Sequence, residues 1–118
     1  MKYLTTNTIL LALLFAPALI FAQEGEMDYG TATVTHEYCV NLDTESPISE
    51  NYLIDISHLH LTTELEAVNN FGFISNNLLT YTVDFEAEQA YLQIHLDRTP
   101  TPKDIVWWNA YVTSLCGL

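Results

Sequence analysis

His58 and His60, separated only by Leu59, are the residues of this 118-residue chain whose type and spacing come nearest to chemistry. Neutral imidazole is a good ligand for Zn(II), Cu(II) or Ni(II). In an extended segment, residues two apart project to the same side, so both rings would reach one cation. Two ligands make a weak site, and a third donor would have to come from elsewhere, with the Glu86 or Glu88 carboxylate as the candidates. His95 lies further along its own strand, running away from that end. The competing expectation is structural: two rings tucked against the end of a sheet or turned to water. Catalytic patterns are missing. There is no Gly-x-Ser-x-Gly elbow, no phosphate-binding glycine loop, no His-Glu-x-x-His and no Asp-x-Asp-x-Asp-Gly calcium loop. Glu64/Glu66 and Glu86/Glu88 are paired carboxylates, but on a helix turn and a hairpin loop such pairs are solvated surface. The expectation is a protein that is not an enzyme.

Two further groups stand out. Cys39 and Cys116 are the only cysteines. In an oxidising compartment such a pair forms a disulfide, which over a loop of this span stabilises a fold by about 4 kcal/mol; the alternative is two buried or reactive thiols. Trp107 and Tyr111 stand four apart, on the flank of a helix whose core stripe would include Trp108. Partly exposed, they would make an aromatic patch for protein contact; on a wide core face, both would be buried.

The elements that must position these groups can be read from periodicity. Ala32, Val34, Tyr38 and Val40 alternate with Thr31, Thr33, Thr35 and Glu37, which predicts one strand over 31–40. A loop at 41–49 carries Pro47, and a second, mostly apolar strand over 52–61 changes phase near Ser57. Thr63 and Glu66 have capping-box spacing, with Leu65, Val68 and Phe71 as the apolar stripe of a helix stopped by Gly72. Asn76-Asn77 turns the chain into a hairpin with strands around Leu79–Phe85 and Leu92–Leu96, joined by a turn at Glu86–Gln89. Thr101 as cap and Pro102 at the first position open a last helix with Ile105, Trp108, Val112 and Leu115 inward and Gly117 at its end.

The expected architecture is therefore α+β, a two-layer sandwich of an antiparallel sheet and two helices in the order β-β-α-β-β-α. From Tyr52 onward the order is that of a ferredoxin-like domain lacking its last strand. The strand at 31–40 would fill the vacant edge, antiparallel to 52–61. One tension accompanies this picture: the last helix should end near the start of the first strand, whereas Cys39 lies near its finish. Over 52–115 the order resembles that of heavy-metal-associated domains, which hold an ion on the loop between first strand and first helix. Their Cys-x-x-Cys is absent, and only His58 and His60 stand near its place. The resemblance implies a metal site there, with Zn or Cu as the candidate ion.

Composition sets the wider frame. Three basic residues face fifteen acidic ones, for a formal net charge of −12. Such a charge disfavours nucleic acid and anionic membrane surfaces as partners. Lys2 followed by an apolar run from Ile9 to Phe21, with the small Ala22, predicts a signal peptide over 1–22 that is cleaved before Gln23. The expected product is a secreted or periplasmic chain with a flexible start over 23–30 and a single domain over 31–118. The function expected is a non-enzymatic binding or interaction domain with an unknown protein partner. The alternative is a divalent transition-metal-binding protein using His58 and His60.

Overall fold

A computed structural model describes residues 28–116. The expected signal peptide, residues 23–27 of the expected flexible start, and Gly117 lie outside the described residues. Five strands form one mixed sheet: β1 (Gly30–Val34), β2 (Val40–Leu42), β3 (Asn51–Asp55), β4 (Leu79–Asp84) and β5 (Gln89–Ile94). Two helices accompany it, α1 (Glu64–Phe73) and α2 (Ile105–Thr113). The strand order across the sheet is β2-β1-β3-β5-β4.

The α+β class holds, and the element order becomes β-β-β-α-β-β-α. The strand expected over 31–40 is a hairpin: β1 runs to Val34, the chain turns over 35–39, and β2 returns antiparallel. Tyr38 takes the left-handed conformation (φ 64°), and Thr35 and Cys39 close the turn by backbone bonding. β1 pairs with β3 in parallel, which corrects the antiparallel expectation and makes the sheet mixed. The hairpin also removes the tension over Cys39. β2, not β1, is the edge that meets α2, so Cys39 at its start reaches Cys116 beyond the end of α2 and the disulfide is formed.

One face of the sheet carries the core. Ala32, Val34, Val40, Leu42, Tyr52 and Ile54 alternate inward on the first three strands. Leu79, Ala90, Leu92 and Ile94 continue that face across β4 and β5. Phe71 and Ile74 from the α1 region and Trp108 and Val112 of α2 join the same buried cluster, so both helices cover this face. Burying sixteen apolar side chains at about 1.5–3 kcal/mol for each large one is what offsets the ordering entropy of so short a chain. Gly30 sits where the parallel pairing brings it against Tyr52; a β-carbon there would lie 2.6 Å from the tyrosine Cε1, so no larger residue fits without displacing the ring.

The helices differ from expectation at their caps and faces. Thr63 Oγ1 accepts from Glu66 N (3.1 Å), as the spacing predicts. The Glu66 carboxylate bonds Thr62 rather than the cap residue. Gly72 does not stop α1, which runs on through Phe73. The buried residues of α1 are Ala67 and Phe71, not the Leu65–Val68–Phe71 stripe, and Leu65 and Val68 face solvent. The cap of α2 is Asp104, whose Oδ1 accepts from Trp107 N (3.0 Å), rather than Thr101. A carboxylate beside the free N–H groups and positive end of a helix is stabilising.

Candidate functional site

β3 ends at Asp55, and the chain then tightens into a 3-10 turn over Ser57–Leu59. The turn begins at Asp55, whose Oδ1 accepts from Ser57 N (2.9 Å) and whose carboxyl is held below the usual carboxylate range by that bond and by the Ser57 hydroxyl. His60 closes it in the left-handed conformation (φ 52°). The segment is therefore not extended at the histidine pair, and the alternation that would place both rings on one side does not apply.

His58 has a structural engagement of its own. Its Nε2–H donates to Val34 O at 2.6 Å. In the parallel register the next partner of Val34 on β3 would be Ile56, beyond the end of that strand, so the imidazole takes over a carbonyl the ladder no longer serves. His36 packs edge-on against His58 with ring centroids 5.7 Å apart, and its Nε2–H donates to His58 O (3.1 Å). The two imidazoles thus pin the β1–β2 turn to the turn after β3. His60 is exposed. Among the described residues, no group of three or more His, Cys, Asp or Glu side chains is gathered so as to hold a metal ion.

Glu86 and Glu88 stand on the β4–β5 turn, both exposed, with Glu88 again in the left-handed conformation (φ 56°). Together with Ile56, Leu61 and Phe85 they line an open cleft of about 260 Å³. A second cleft of about 240 Å³ is lined by Glu64, Val83, Asp84, Phe85 and Glu86. Sharing Phe85 and Glu86, the two make one trough at the far end of β4, with an apolar floor and an acidic rim. Sequence reading missed this trough. The signal available for it was the carboxylate spacing of 84, 86 and 88 around the apolar Val83 and Phe85.

The aromatic pair on α2 is partly in solvent. Trp107 is 37% exposed and stacks on Tyr111 with centroids 5.5 Å apart and planes 9° from parallel. Lys103 Nζ lies 5.3 Å above the Trp107 ring, a cation–π contact. The Tyr111 hydroxyl accepts from Asn76 Nδ2 (2.9 Å), tying α2 to the loop after α1. Beside them Val106 is 66% exposed, and on α1 Leu65, Val68 and Phe73 are 68%, 48% and 77% exposed. The uncovered face of the sheet is the contrary: Thr31, Thr33, Thr80, Thr82, Asp84 and Gln93 are its exposed residues on β1, β4 and β5. No helix of the described residues is long and apolar enough to cross a membrane. No protein-family model, curated protein or solved structure matches the chain.

Proposed function

We propose that this chain is a binding domain of an oxidising, extracytoplasmic compartment that acts by docking a protein partner rather than by catalysis. The observation that carries the reading is the apolar outer surface of the helical layer: Leu65, Val68 and Phe73 on α1, and Val106 and Trp107 on α2. Each helix thus turns large apolar groups to water, and apolar surface patches mark interaction sites. The Cys39–Cys116 disulfide supports the compartment, as does the apolar run after Lys2 with its small residue at 22. From β3 onward the order β-α-β-β-α, with β5 between β3 and β4, follows a ferredoxin-like plan, on which binding through the helical side leaves the sheet undisturbed. The metal-binding alternative at His58 and His60 has less support, because the His58 ring is engaged with Val34 O.

The test is retention of a stoichiometric partner from the extracytoplasmic fraction of the protein's source. The protein and Thr82→Ala, on the uncovered sheet face, should retain it equally, and Val68→Ser/Phe73→Ser should lose it at least tenfold. Equal retention by all three, or no partner, overturns the reading. Circular dichroism of the double variant shows that both exposed changes leave the fold intact.

A further inference from the structure

We infer that the far half of β4 is a strand-addition site for an extended, cationic peptide segment, with the trough beneath it receiving that segment's apolar side chains. This surface adjoins the helical one at Glu64 but stands on different observations. The first is backbone direction. His95 N donates to Leu78 O, and the register then makes Thr80–Gln93, Thr82–Tyr91 and Asp84–Gln89 the pairs bonded across β4 and β5. Leu79, Tyr81 and Val83 therefore turn their N–H and C=O groups outward, to the edge. The near half of that edge is occupied: Asn76 bonds both Leu79 groups, and Ser75 Oγ accepts from Tyr81 N. Among the described residues no loop or side-chain hydrogen bond reaches Tyr81 O or either Val83 group. That leaves an acceptor, a donor and an acceptor in the order an added strand would use.

The second observation is the trough. Val83 on the strand and Phe85 just past its end continue its apolar floor, and Ile56 and Leu61 complete it. Alternate side chains of an added strand point to one face and would enter this floor while the others point outward.

Charge identifies the occupant. Glu64, Asp84, Glu86 and Glu88 rim the trough, and among the described residues no basic one lines it. Arg98 is bonded to Asn77 O and Lys103 lies over Trp107, so neither described cation serves this end of the molecule. An anionic or neutral strand would gain the backbone bonds but not the complementary field, whereas Lys or Arg at alternate positions gains both.

The probe is a fluorescein-labelled, alternating Lys–Val heptapeptide, followed by anisotropy at low and moderate salt. It should bind, and Glu86→Lys/Glu88→Lys should weaken it at least tenfold, as should replacing its lysines by glutamates. N-methylation of alternate peptide amides keeps the charge and removes the edge-facing donors, and should weaken binding at least tenfold toward the wild-type protein. Amide shifts on titration should centre on Val83, Phe85 and Glu86 and spare Leu42. Absent binding, equal binding of the N-methylated peptide, or shifts spread over the whole acidic surface would each overturn the site. Val68→Ser/Phe73→Ser should bind the peptide as the wild type does, which separates failure here from failure of the helical-surface reading.

Discussion

The two edges of the sheet are finished in opposite ways. On the β2 edge, Asn109 and Thr113 stand one helical turn apart on α2 and reach down to the strand. Asn109 Oδ1 accepts from Leu42 N (2.8 Å), and Thr113 Oγ1 donates to Val40 O (3.1 Å). These are outward backbone groups of β2, and the Cys39–Cys116 bridge locks the same helix to the same strand. On the β4 edge, among the described residues, hydrogen bonds from the loop after α1 reach the first half only, and the second half faces a trough rimmed by carboxylates. A sheet edge is a template for unwanted pairing, and proteins cover it or charge it. Here one edge is covered. The other is charged.

Breaking the covered edge should have the largest effect. Cys39→Ser/Cys116→Ser is expected to cost about 4 kcal/mol in urea unfolding, since the unfolded chain regains the freedom of a 77-residue loop. Hydrogen exchange should place the loss unevenly, with the Leu42 amide losing more protection than those of Thr80 and Thr82. A uniform loss would remove the distinction between the edges. Next in size is Asn109→Ala, which leaves the Leu42 N–H without its acceptor and should cost about 1–2 kcal/mol in thermal or urea unfolding. Thr113→Val should cost less, because a carbonyl left at the rim finds water. The smallest effect concerns the other edge. Burial pushes the Tyr81 hydroxyl above its usual range, so the folded state holds that proton more tightly than the unfolded chain does. Its stabilisation is whole below about pH 10 and declines as pH rises beyond the unfolded phenol value. Tyr81→Phe should flatten the alkaline limb of a stability–pH curve, and an unchanged slope would assign that limb to other groups.

How far the sequence speaks for this structure depends on the element. Alternation located the β4–β5 hairpin and the apolar faces of β1, β3, β4 and β5, because period-two burial leaves a direct trace, while β2 fell partly in the expected loop at 41–49. The β1–β2 turn left none. It consumes five residues, so even-numbered positions face inward on both sides of it and the pattern matches one unbroken strand. Its left-handed residue is Tyr38, not a glycine or asparagine that would mark a turn. The core face of α1 was ambiguous for a different reason: Leu65 and Val68 compete with Ala67, Phe71 and Ile74, and only the sheet decides which stripe is buried. At the histidines, Asp55 two residues before Ser57 was a short-range turn signal, outweighed by the apolar residues around it. The exposure of Trp107 follows from how α2 sits over β2, a relation that helix periodicity does not contain. The open half of β4 depends on which backbone groups face outward, and therefore on register.

The bridge between Cys39 and Cys116 also makes the chain from β2 to the end of α2 a closed covalent ring. A protease that cuts once in the exposed stretch at 43–47, or in the turn at 86–88, opens that ring without separating it into fragments. The nicked molecule stays one species, heavier by a single water, and parts into two chains only on reduction. In a compartment shared with proteases, loop cleavage and loss of the domain become separate events.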